Sequence, residues 1–314
     1  MHDVALIGPA VPVPLDPRVT AFVHAASAAN TRLAYQKDLQ RFLAWGGVIP
    51  STPEQVAAYL AAHADSHAPA SLGRWLVSLG RAHTTQGLTN PCKSELVRTT
   101  LRGIRRQRGM MQRQVAPAVR DEVLLMVSQL GDSLRDCRDR ALLLVGFAGA
   151  LRRSELVALT TADIIFIDHG MTLTIRRSKT DQQGQGRTIG VPWARGTVCP
   201  TTALRTWLER SGGAAAGAPL PVFRAIDQHG HLATKALTPC AVALIVKRCA
   251  AAAGLLSDHY SGHSLRAGFC TTAAVQGAPH WKIKKVSGHK SNAVLDRYIR
   301  AARLFEDSPL EGMF

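Results

Sequence analysis

The residues best suited to chemistry lie near the C-terminus: Ser261-Gly-His263-Ser-Leu-Arg266-Ala-Gly, then Ser287-Gly-His289-Lys-Ser, then Asp296-Arg-Tyr298-Ile-Arg. Two histidines and an arginine at short spacings from a single tyrosine are a set that phosphoryl transfer to a protein hydroxyl would require. His263 and Arg266 stand three apart, so a helix puts them on one face. One can hydrogen-bond a phosphoryl oxygen while the other neutralises its charge. A tyrosine is a poor nucleophile while protonated, its reference pKa being about 10, so Tyr298 needs neighbouring cations or a base.

Two upstream segments extend the set. Gly149-Ala-Leu-Arg152-Arg-Ser-Glu155-Leu falls where an apolar helix ends and a short one begins, and a guanidinium there meets a phosphate with its planar fork at any working pH. Lys179, in the polar run Arg176 to Gly186 between two predicted strands, can reach a bound substrate and protonate a leaving oxygen. Each feature alone has an ordinary structural reading. Arg152 and Glu155 make a common surface pair at a helix start, Lys179 a solvated turn residue, His-x-x-Arg a structural pair, and Tyr298 a half-buried packing residue. It is their ordered combination that points to phosphoryl transfer.

The elements that must position these groups divide in two. Residues 1–16, with Pro9, Pro12 and Pro14, read as a flexible arm without the basic start and apolar core of a signal peptide. Residues 17–110 read as an all-helical domain with helices predicted at Thr31 to Trp45, Pro53 to His63, Pro69 to Gly87 and Pro91 to about Gln107. The first of these places Leu33, Tyr35, Leu39, Phe42, Leu43 and Trp45 near one broad face. Residues 111–117 lack apolar periodicity and end in Ala-Pro, which marks a linker long enough for two lobes to clasp a duplex. In residues 118–314 helices resume around β-branched stretches at 163–167, 171–176 and 187–192, predicting a small antiparallel sheet with a turn at Asp168-His169-Gly170. The chain is therefore expected to be mainly α, an all-helical N-terminal domain followed by an α+β domain.

Charge suggests the partner. The net charge is +16, from 38 Lys and Arg against 22 Asp and Glu, which calls for an acidic partner, and nucleic acid fits best. Arg98, Arg102, Arg105, Arg106 and Arg108 crowd one helix with only Glu95 nearby, so a phosphate-facing surface is favoured over a solvated charged face. Ser71, Arg74, Arg81 and His83 are further candidate DNA contacts. No apolar run is long enough to span a bilayer. The six cysteines form no Cys-x-x-Cys pair, so reduced thiols in a cytoplasmic protein are expected rather than a zinc ribbon or disulfide scaffold. His-Glu-x-x-His, carboxylate-cluster and Walker-type motifs are absent, so neither a metal nor a nucleotide cofactor is expected.

In order and spacing, Ala-Leu-Arg152-Arg-Ser-Glu155-Leu, Lys179, His263-Ser-Leu-Arg266, Gly288-His289-Lys-Ser and Tyr298-Ile-Arg resemble the active site of the tyrosine recombinases, the phage integrase family. The likeness spans about residues 117–305, and the basic helical half is similar to the family's core-binding domain. Short two-domain members such as Cre look nearest, although Cre carries tryptophan where this chain has His289. The resemblance implies a site-specific recombinase that attaches DNA through a 3′-phosphotyrosyl bond. Tyr298 would attack, Arg152 and Arg266 would hold the non-bridging oxygens, and Lys179 would protonate the 5′ oxygen. His263 would take or relay the tyrosine proton, His289 would bond a phosphoryl oxygen, and Glu155 would buttress the site. It further implies duplex DNA with inverted-repeat sites as partner and a homotetramer joined through the apolar tail Leu304 to Phe314. It also implies a bacterial setting, plasmid- or phage-encoded. A type IB topoisomerase or telomere resolvase, and a DNA-binding regulator on an inactivated scaffold, are the alternatives.

Overall fold

The computed structural model describes residues 16–109, 115–178, 181, 185–196, 198–213 and 217–302, without the side chains of 294 and 299–302. The predicted arm and tail, and much of the predicted linker, fall outside the described residues. Chain contacts separate two compact units, Met1–Arg113 and Gln114–Phe314.

The first unit is built from α1 Pro17–Ala25, α2 Ala29–Ala44, α3 Pro53–Ala62, α4 Pro69–Thr84 and α5 Glu95–Arg108. Helix starts follow local chemistry: Thr52 and Ser94 accept backbone N–H bonds from Gln55 and Val97, and Pro53 and Pro69 occupy first-turn positions where no donor is lost. Leu72, Trp75 and Leu79 of α4 meet Phe42, Tyr59, Leu60, Val97 and Leu101 in one core. The broad face expected on α2 is only partly realised. Phe42 is buried, Leu39 packs at the edge, and Leu33 and Leu43 are about half exposed. Helix α1 buries no residue, which is why no apolar stripe announced it.

The second unit runs α6 Arg120–Ser128, α7 Leu134–Ala148, α8 Arg153–Ala158, β1 Ile164–Ile167, β2 Gly170–Ile175, β3 Arg187–Pro192, α9 Pro200–Arg210, β4 Arg224–Ile226, β5 Leu232–Ala236, α10 Pro239–Ala252, α11 Ser264–Val275, α12 His280–Ser287 and α13 Asn292–Ala302. Strands β1, β2 and β3 form the expected antiparallel sheet, with Ile164 opposite Leu173 and Leu173 opposite Ile189. Gly170 has φ +149°, and a Cβ there would lie 2.1 Å from the Val191 carbonyl oxygen, so the sheet requires glycine at this point. Met171, Leu173, Ile175, Ile189 and Val191 point into a core shared with α7, α9 and α10. A second sheet, β4 with β5, was not expected. Its strands are short and their pairing carries an irregularity between Arg224 and Ile226, so alternation gives little signal. Among the described residues, no helix is long and apolar enough to cross a membrane.

Candidate active site

The site grows from the turn between α7 and α8. Ala150 adopts φ +47°, a left-handed conformation that costs a residue with a Cβ on the order of 1 kcal/mol. It is fully buried, and its carbonyl accepts a 2.8 Å hydrogen bond from Arg266 Nη1. Arg152 then caps α8, donating its backbone N–H to Glu155 at 3.0 Å. Arg152 Nη1 also donates to Glu155 Oε1 at 2.6 Å and to Ser178 Oγ at 2.7 Å, the latter at the base of the β2–β3 hairpin. Across the sheet, Arg187 donates to both carboxylate oxygens of Glu155, at 2.9 and 3.3 Å. Burial alone would raise the Glu155 pKa, but the Arg187 and Arg152 guanidiniums outweigh it and hold the carboxyl down at about 2.

Arg266, on α11, is 1% exposed and ties three segments together. Its Nη1 donates to the carbonyls of Ala150 and Ser287, the latter at 2.5 Å at the end of α12. Nη2 is buried and has no partner among the described residues. A buried donor in that state costs about 1–3 kcal/mol until an acceptor takes it. Burial, then repulsion from Arg152, lowers the Arg266 pKa to about 10, which leaves it a cation at neutral pH.

Tyr298 is half-buried on α13, and its hydroxyl lies 3.0 Å from His263 Nε2. Desolvation, then the neighbouring Cys270, pushes the phenol's pKa up, so it is protonated at rest. The His263 pKa is pushed down by desolvation of the ring, although the residue as a whole is exposed, and then by Arg266, Arg152 and Arg153. A neutral imidazole with its proton on Nδ1 accepts the phenol O–H at Nε2. His289 stands on the other side, its ring centroid 6.0 Å from that of Tyr298 and its Nδ1 2.8 Å from Ser287 Oγ. Desolvation and Arg266, then Arg152, depress its pKa to about 3. Together these groups can grip the non-bridging oxygens of a phosphodiester, offer a hydroxyl for in-line attack and remove its proton.

Five of the six sequence-predicted catalytic candidates, Arg152, His263, Arg266, His289 and Tyr298, therefore meet in one place with Glu155 beneath them. The sixth, Lys179, lies outside the described residues. Sequence reading missed Arg187 and Ser178. Arg187 had a legible signal, because it shares a strand face with the inward Ile189 and Val191, where a cation needs a partner. The small residues around His263 and Arg266 serve packing within the chain. A Cβ on Gly268 would lie 1.6 Å from the Ala118 carbonyl oxygen, and one on Gly262 would strike the stem of Arg153.

The candidate DNA contacts in the first unit fare differently. His83 is fully buried, Nε2 accepting from the Ser51 N–H at 2.9 Å and Nδ1 2.8 Å from the Leu79 carbonyl oxygen, so it is a structural residue and not a surface contact. Arg74 pairs with buried Asp38, Arg98 and Arg102 with Glu95, and Arg108 with Asp65, while Arg81 lies over the Tyr35 ring. Arg105 is half-buried beside Gly73, Ser71 is half-buried, and Arg106 is exposed.

The chain is similar to known proteins over most of its length. The chain is 34% identical over 299 residues to an integrase/recombinase XerD homologue of Selenomonas ruminantium, covering 92% of this chain and 86% of that one. It is 28% identical to the tyrosine recombinase XerD of Xanthomonas campestris pv. campestris over 88% and 83% of the two chains. The fold is shared with the Tn1549 transposon integrase, with a TM-score of 0.63 at 16% identity and coverage of 94% and 95%. Residues 119–304, the segment that holds Arg152, Glu155, Arg187, His263, Arg266, His289 and Tyr298, match the phage integrase family, and the chain belongs to that family of tyrosine recombinases.

Proposed function

We propose that this protein recombines duplex DNA at a specific site through a 3′-phosphotyrosyl intermediate, with Tyr298 as nucleophile. The observation that carries the reading is the 3.0 Å contact between the Tyr298 hydroxyl and His263 Nε2, set beside Arg152, Arg266 and His289. The Tyr298 oxygen forms a bond to phosphorus as the bond from phosphorus to the 5′ oxygen breaks. The phenolic proton passes to His263, and Lys179 supplies a proton to the departing 5′ oxygen. Arg152 and Arg266 hold the non-bridging oxygens, Arg266 through its Nη2, which has no partner among the described residues, and His289 donates a hydrogen bond to one of the same phosphoryl oxygens. Attack of a 5′ hydroxyl on the phosphotyrosine reverses these steps and rejoins a strand, so no external energy source is consumed.

DNA as the partner is supported by the +16 charge and by the solved Tn1549 integrase, whose structure is a complex with transposon right end DNA. The sites are inverted repeats, each half bound by one protomer through residues 17–110 and 118–314. Four protomers pair two sites, their apolar tails from Leu304 to Phe314 docking on neighbours. On a nicked suicide duplex carrying the site protected in footprints, the wild type is expected to become covalently attached, and Tyr298→Phe to bind equally and attach nothing. An adduct surviving in Tyr298→Phe would remove Tyr298 from the role. Deleting residues 305–314 is expected to impair pairing of two sites more than binding of one.

A further inference from the structure

Arg187 has no place in the mechanism above, yet it touches two of its parts. It is the only side chain besides Arg152 that the structure pairs with the Glu155 carboxylate among the described residues, and it engages both oxygens. It also lies against Gly288. A Cβ there would stand 3.1 Å from the Arg187 Cζ and 3.2 Å from its Nε, and Gly288 has φ +66°, so the turn is both left-handed and pressed on the guanidinium. Gly288 precedes His289 and follows Ser287, whose carbonyl holds Arg266. We propose that Arg187 is a positioning residue of the strand-cleavage site. Through Glu155 it keeps Arg152 aimed at the scissile phosphate, and through Gly288 it sets the turn that presents His289.

The physical case is that Glu155 must stay ionised to hold Arg152. It is 3% exposed, and a buried carboxylate with one cation tends to neutralise. Arg187 supplies the second cation. The guanidinium itself pays for its burial through this pair alone, since its Nε has no partner among the described residues. The charged groups that bear on Glu155 are Arg152 at the start of α8, Arg187 on β3 and Arg266 on α11. With Arg187 gone, the carboxyl takes up a proton at higher pH and releases Arg152.

The proposal rests on the function given above, and the test keeps the two apart. Covalent attachment to the nicked suicide duplex is followed in single turnover across pH 3 to 8 for wild type, Arg187→Gln, Arg187→Lys and Glu155→Gln. Arg187→Gln is expected to attach on the order of a hundredfold more slowly at neutral pH, as misplaced groups do. The acid limb of its rate profile is expected to move up by about 1 to 3 pH units, with site binding unchanged. Arg187→Lys, which keeps charge without the fork, is expected to fall between Arg187→Gln and the wild type. It also serves as the readout if the glutamine variant does not fold. Because Arg187 also helps keep His289 neutral, the Glu155→Gln background separates the two routes. There the added Arg187→Gln change should shift the limb much less. A lowered melting temperature with rate and acid limb unmoved would make Arg187 merely structural and overturn the proposal. A wild type that attaches to no duplex would overturn the function instead.

Discussion

The two halves of the site are held by different forces. On the arginine side, Arg266 and Glu155 are 1% and 3% exposed and locked by charged hydrogen bonds to the α7–α8 turn, β3 and the end of α12. On the tyrosine side, α13 contributes Leu295 as its one fully buried side chain among those described, packed with Cys270, Ala274 and Ile283. Its polar ties lie at the surface: His280 to Asp296 at 3.2 Å, Lys284 to Asn292 at 3.0 Å, and His263 to Tyr298 itself. Buried charge pairs fail all at once when one member is lost, whereas a terminal helix docked on a small separate cluster can detach by itself. The phosphate grip is thus part of the domain's core, and the nucleophile rides on an element of lower local stability.

Glu155→Ala is the most damaging way to probe this contrast. It strands two guanidiniums, at an expected cost of about 3–5 kcal/mol to the catalytic unit. Chemical denaturation of residues 114–314 within the full chain would register that loss, and DNA attachment should fall with it. Leu295→Ala comes next. The same order of contact energy, about 2–5 kcal/mol, is at stake, but it should be lost as local detachment of α13. Amide exchange should rise across α13 and attachment should drop while the melting temperature moves little. Equal melting shifts for the two variants would erase the distinction between the halves.

These differences also explain what sequence reading reached. Arg152, His263, Arg266, His289 and Tyr298 were legible because each sits in a short motif whose chemistry depends on residue type. The helices of the first unit were legible where burial enforces periodicity, as at Leu72, Trp75 and Leu79, and illegible in α1, which buries nothing. His83 was misjudged because a polar residue on a basic helix looks exposed until its turn places it against Leu79 and Ser51. Arg187 was missed because its partner is 32 residues away, and only the strand pairing of β2 with β3 brings it to Glu155. The β4–β5 pair was missed because three- and five-residue strands are too short to show alternation.

Acid should sharpen the comparison further. His289 has its pKa depressed to about 3 from an ordinary 6.5, so the unfolded chain binds its proton first and stability falls as pH drops through 6.5 toward 3. Glu155, held at about 2 against an ordinary 4.5, adds its own loss only below pH 4.5. Between pH 6.5 and 4.5 the slope from His289 is at most about 1.4 kcal/mol per pH unit. His289→Gln should flatten the melting profile there and leave the steeper fall below pH 4.5 in place. A variant whose profile matches the wild type throughout would mean that the imidazole is not held neutral by its burial and the arginines.

The smallest expected effect is at His280, whose partially exposed pair with Asp296 joins the start of α12 to the tyrosine helix. An exposed pair of this kind is worth about 0–1 kcal/mol, so His280→Ala should leave global unfolding within error. Leu295 is the one fully buried side chain of α13 among those described, so even that small loss bears on how the helix docks. Amide exchange in α13 should then quicken several-fold, with exchange in α7 and α11 unchanged. Exchange that speeds equally in α11 and α13 would instead join the nucleophile's helix to the same cooperative unit as the arginines.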